Sequence, residues 1–183
     1  MDLKTAAAEA LRVSDEDGTR VDALNRAAVA MRQSQKEGDV VPSFFEGFAL
    51  QGIRVDAISP GRILCSFTVP ARLTTADGNH LAPGAVVALV DEIGSAVSVA
   101  DGKQLKVSVD MSVSLVDLAA AAAGDALRIT ARALGHKGYY SGTHVLIANA
   151  ATGKVVAEGR HSLFGKLKAA PPPPSSTLIK SNI

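Results

Sequence analysis

The spacing of apolar residues changes along the chain, and each change predicts an element. In "RVDALNRAAVAMRQSQKEGD", Val21, Leu24, Ala28 and Met31 recur at helical spacing and Gly38 ends the run. Residues 1–20 are alanine-rich and then acidic, which predicts a frayed helix or a flexible arm before a helix and linker over 21–43. Pro42 and Ser43 open a short helix whose Phe44 and Phe48 share one face, as a lid on a core would. From residue 53 the period becomes two. "IRVDAISPGRILCSFTVP" alternates around the turn signal "SPG" and predicts a β-hairpin. "ARLTTADGNHLAPG" is a loop, and a helix over 83–100 follows, with Pro83 suited to its first position. "LKVSVDMSVSLV", "DALRITARAL", "YYSGTHVLIANA" and "KVVAEGRHSLF" read as strands. The alanine patch 119–123 between the first two reads as a low-information connector. Several strands around one long helix predict an α+β fold, an antiparallel sheet with the helix on one face. That domain is expected over 44–168, ahead of a disordered proline- and serine-rich tail over 169–183.

One feature conflicts with its surroundings. "GAVVALVDEIGSAVSVAD" is apolar on nearly every side, the mark of a buried helix, yet Asp91 and Glu92 sit in its middle. A carboxylate there loses hydration, which disfavours its charged form unless a partner stabilises it. Composition narrows what the carboxylate could serve. The 183 residues carry a net charge of +1, which implies no strong pull toward nucleic acid. The single cysteine, Cys65, rules out an internal disulfide or a cysteine metal cluster, and it reads as a core residue. His136, His144 and His161 lack metal-ligand spacing, so neither metal nor cofactor is expected. No uninterrupted apolar stretch approaches about 18 residues, so no membrane span is expected. The N-terminal residues lack the order of a secretory signal.

Three segments in order, "GAVVALVDEIGSAV", "VSVDMSVSLV" and "ATGKVVAEGRHSLF", resemble the small acyl-coenzyme A thioesterases of the thioesterase superfamily, the acyl-CoA thioesterase 13 type. The resemblance covers about residues 44 to 166. It implies the hotdog fold, a sheet wrapped around one long helix, in a homodimer or homotetramer with active sites between subunits. It places Asp91 at the catalytic carboxylate, Gly84 at the last glycine of an "HGG" motif and Ser108 at a serine that supports the attacking group. The chain departs from that motif with Ala82, Pro83 and Gly84. Pro83 has no amide hydrogen, so an oxyanion would fall to the amides of Gly84 or Ala85. Asn79 is the candidate for the family's loop amide, and His80 lies beside it.

The expected activity is hydrolysis of an acyl-CoA to a free acid and CoA, with a carboxylate as nucleophile or general base. Gly84 and Asp91 are separated along one helix by about 10 Å at 1.5 Å per residue, too far for one thioester carbon to meet both. Two subunits remove that mismatch. Glu92 turns about 100° away and reads as a solvated or interface residue. Arg160, Lys166, Lys168 and Lys137 are candidates for the CoA phosphates. A hotdog dehydratase or hydratase is the first alternative, although it needs a histidine paired with the acid and the central helix has none. A non-catalytic acyl-CoA-binding protein is the second. The final "SNI" is similar to the peroxisomal "SKL" signal, so peroxisomal placement through an import receptor is expected ahead of a cytoplasmic one.

Overall fold

The computed structural model describes residues 2–33, 43–103 and 106–165. The chain divides into two compact units, Met1–Gly47 and Phe48–Ile183. Of the two readings of residues 1–20 the first unit takes the helical one, with helices α1 (Leu3–Ala10) and α2 (Asp15–Gln33). Asp2 caps α1, accepting the amides of Lys4 and Thr5 at 2.8 and 3.1 Å. Ser14 opens α2: its hydroxyl accepts the Asp17 amide at 3.0 Å and donates to the Asp17 carboxylate at 2.6 Å. The acidic run is therefore a capped first turn, where negative charge suits the helix dipole. Val21 and Leu24 stay exposed. Gly38, Pro42 and the tail lie outside the described residues.

Helix α3 (Phe44–Leu50) has the predicted place, and Phe48 and Leu50 pack against the core. Arg72 fastens its end, donating to the carbonyls of Phe48 at 2.8 Å and Gln51 at 2.5 Å. Six strands form one antiparallel sheet in the order β1 (Arg54–Ser59), β2 (Arg62–Thr68), β4 (Ala126–Lys137), β5 (Tyr140–Asn149), β6 (Val155–Phe164), β3 (Val107–Leu115). The β1–β2 turn is the predicted one, with Gly61 at φ 66°, where a side chain would be strained.

Helix α4 (Pro83–Ala100) lies across one face of this sheet. Val86, Leu89, Val90, Ile93 and Val97 meet Ile63, Cys65 and Phe67 of β2, Leu127 and Ile129 of β4, and Val145 and Ile147 of β5 in one core. Each such side chain contributes roughly 1.5–3 kcal/mol by leaving water. Two glycines set how closely helix and sheet approach. A Cβ at Gly159 would lie 2.5 Å from Val90 Cγ1, and one at Gly94 would lie 2.9 Å from His161 Nδ1. By length and composition α4 is apolar enough to cross a membrane, and half of it is buried against the sheet, as in a core helix.

The alanine patch is not an empty connector. Ala120 and Ala121 are buried, and their carbonyls accept the Asn149 side chain and the Leu81 amide, each at 2.8 Å. Small side chains let this loop close over the core beside the start of α4. Strand β3 borders the sheet with Val107, Val109 and Leu115 exposed, and no strand lies beyond it among the described residues.

Candidate active site

Asp91 rides on α4 with its side chain 39% exposed, at the rim of an otherwise apolar helix. Its Oδ1 accepts the Ser108 hydroxyl at 2.7 Å. Ser108 lies opposite Leu163 of β6 and so faces the helix, and a bulge between Ser108 and Asp110 follows at once. Bulges re-aim side chains where a regular ladder would not. The structure thus joins two of the predicted residues across seventeen positions of sequence.

A third residue completes this cluster, and no sequence argument found it. His161 Nε2 lies 3.3 Å from the same Asp91 oxygen, and the His161 side chain is 0% exposed. The pair lies within ion-pair distance but makes no hydrogen bond. Neither ring nitrogen has a hydrogen-bond partner among the described residues. Burial pushes the His161 pKa below its ordinary value, and the opposing pull of the Asp91 charge is the smaller effect. The signal was present in the alternation of β6, where Ala157, Gly159, His161 and Leu163 are buried at every second position.

The other predicted residues gather at the start of α4. Ala82 caps the helix without a side-chain bond, and Pro83 follows. The amides of Ala85 and Val86 both donate to the Ala82 carbonyl, at 2.9 and 3.2 Å. Ala85 is buried as well, so its amide is a poor oxyanion donor, and the expectation narrows to Gly84. Gly84 is exposed, and a Cβ there would meet nothing within 4 Å. Asn79 serves its own loop: its side chain donates to Asp77 Oδ2 at 2.8 Å and its amide to Oδ1 at 3.1 Å. The Thr75 hydroxyl and these bonds hold the Asp77 carboxyl down to about 2. The His80 carbonyl takes the Thr75 amide at 2.9 Å. Among the described residues neither Asn79 nor His80 bonds to Asp91 or Ser108.

Of the cations considered for CoA phosphates, Arg160 points away from α4, opposite His144, which in turn lies opposite Arg132. Lys137 is exposed at the end of β4, and Lys166 and Lys168 lie outside the described residues. No group of three His, Cys, Asp or Glu among the described residues could hold a metal.

The far end of α4 carries a second Asp–His–Ser set that the sequence did not announce. Asp101 Oδ2 is 2.5 Å from His136 Nε2, and His136 Nδ1 is 2.7 Å from Ser141 Oγ. Ser141 also accepts Lys106 Nζ at 2.7 Å and the Ser98 hydroxyl at 3.3 Å. Its own proton is then left for His136 Nδ1, and Nε2–H donates to Asp101. The connectivity is that of a nucleophilic triad. However, Ser141 is 0% exposed, and it does not line the depression of about 270 Å³ beside His136. This set ties the end of α4 to β4, β5 and the approach to β3.

No family model matches the chain. Human acyl-coenzyme A thioesterase 13 is 33% identical over 111 residues, which is 60% of this chain and 77% of the human protein. The chain belongs to the hotdog thioesterase superfamily. Zebrafish thioesterase superfamily member 2 shares the fold at a TM-score of 0.60 and 26% identity, over 78% of this chain and 96% of the zebrafish chain. A Streptococcus mutans protein solved with acetyl CoA shares it at 0.58 and 19% identity, over 74% of this chain and 99% of that one. The α+β reading of the thioesterase, one sheet around a long helix, is borne out.

Proposed function

We propose that the chain is an acyl-CoA thioesterase in which Asp91 acts as general base or nucleophile. The observation that carries this reading is the Asp91 carboxylate itself, half-open on a helix that is otherwise core and held through one oxygen by Ser108. With Asp91 as base, water loses a proton to the carboxylate and adds to the thioester carbon. The carbonyl electrons form an oxyanion, which the Gly84 amide of a second copy receives at its helix end. The C–S bond then breaks, CoA leaves as thiolate and takes up a proton, and the free acid remains. The second copy pairs through the β3 edge. An exposed edge strand bearing Val107, Val109 and Leu115 is a surface that proteins cover.

A dehydratase would use a histidine beside the acid, and His161 stands there. It is sealed from solvent, though, and meets the acid rather than a substrate. The direct test is thiol release from short, medium, long and aromatic acyl-CoAs. Turnover of one class supports hydrolysis, whereas tight binding without thiol release from any of them leaves an acyl-CoA-binding protein. Ser181, Asn182 and Ile183 are further proposed as a peroxisomal address. A fluorescent fusion exposing them should gather in peroxisomes, and a diffuse signal removes that proposal.

A further inference from the structure

We propose that His161 is a positioning residue for the Asp91 carboxylate: its Nε2–H holds Oδ1 beside the Ser108 hydroxyl and turns Oδ2 toward the substrate. The inference rests on the thioesterase reading above. It starts from an anomaly of burial. An inward position on β6 between Gly159 and Leu163 favours an apolar residue, because a buried imidazole without hydrogen bonds is costly. The ring is nevertheless kept, and the fold makes room for it. Gly94 lets α4 pass directly over Nδ1, where any Cβ would come within 2.9 Å. Thr143 Oγ1 lies under the same point and reaches the His161 carbonyl at 3.4 Å. With Nδ1 shut against the helix, Nε2 faces Asp91 at 3.3 Å.

That contact is loose in the free subunit. Hydrogen bonds at catalytic groups are often long or poorly aligned before substrate binds and tighten in the complex. The group that faces His161 from α4 is Asp91. From β5 it meets Thr143 and from β3 its register partner Met111, neither of which titrates. Asp91 is faced by Ser108 from β3 and His161 from β6, with Glu92 next to it on α4. A neutral donor beside the carboxylate fixes its orientation, so loss of His161 should slow the chemical step and leave substrate binding nearly unchanged.

The test is kcat and KM by thiol release for the full-length protein and its His161→Leu and His161→Gln variants. His161→Leu should lower kcat about tenfold with KM nearly unchanged, the scale of one hydrogen bond to a charged group. The His161→Gln amide nitrogen can occupy the Nε2 place and should restore most of kcat. Equal kcat in all three proteins, or a loss that His161→Gln does not restore, overturns the proposal. If His161→Leu fails to fold, the imidazole 15N shifts of the unaltered protein decide instead. A neutral Nε2–H tautomer that responds to Asp91→Asn supports the proposal, and an Nδ1–H tautomer overturns it. Failure of the broader reading looks different, since Asp91→Asn would then keep its turnover.

Discussion

An aspartate, a histidine and a serine meet at two places along α4, once at Asp91 within the helix and once at Asp101 just past its end, and the two sets are built in opposite ways. Around Asp101 the groups form a bonded chain: His136 bridges the carboxylate, whose side chain is 27% exposed, and Ser141, and Lys106 and Ser98 fill the remaining positions on that hydroxyl. Around Asp91 the serine bonds the acid, the histidine stands aside without an aligned bond, and the carboxylate stays 39% exposed. A fully matched buried network makes structure rigid. An unmatched buried group calls for an explanation of its own. Connectivity alone would have chosen the Asp101 set as the triad. Access and unfilled bonding capacity support the Asp91 set as the proposed centre.

Exchanging the same mutation between the two sets is the sharpest way to break this comparison. Asp91→Asn should lower kcat by at least about 10²-fold, the scale of a positioned acid or base, with the melting temperature nearly unchanged. Asp101→Asn should leave kcat within a few-fold and cost about 1–3 kcal/mol in denaturant unfolding, because His136 loses its charged partner. Reversal of the two outcomes would exchange the roles of the sets.

Acid tests the unmatched histidine. The His161 pKa in the folded chain is pushed below its usual 6.5 by burial. The unfolded chain therefore takes a proton that the folded chain refuses, and stability falls as pH drops from about 6.5 toward the depressed value. Above that window this group adds no slope. Melting temperatures between pH 7.5 and 5 should fall less steeply in His161→Gln than in the unaltered protein, and equal slopes would remove burial of a neutral ring from the account. The smallest effect is expected from Glu92→Gln, with thiol release within a few-fold. An inactive Glu92→Gln would mean that the wrong carboxylate of the helix had been chosen.

Much of this was legible in the chain because it is local. The ends of α4 follow from Pro83 and the "DGK" after Ala100, and the β1–β2 turn follows from "SPG". The resemblance supplied Asp91 with Ser108, which the structure joins at 2.7 Å. What stayed hidden depends on register between distant strands. His161 reaches Asp91 because β6 turns Ala157, Gly159 and His161 inward, and Gly94 admits the ring. Asp101, His136 and Ser141 meet because the β4–β5 hairpin folds against the end of α4. The acidic residues 15–17 left helix and arm both open, because charge density alone suits either, and the Ser14–Asp17 cap makes them a helix start.

The central claim is that one reaction centre takes Asp91 from one copy and Gly84 from another. Gly84→Pro removes the amide hydrogen at an exposed position in the first turn of α4, where proline is tolerated. Alone, Asp91→Asn and Gly84→Pro should each be inactive in thiol release. Mixed in equal amounts under conditions that exchange subunits, they should regain roughly a quarter of the unaltered turnover, since half the pairs would carry one intact centre of two. A mixture that exchanges subunits and remains as inactive as its components would contradict the shared centre.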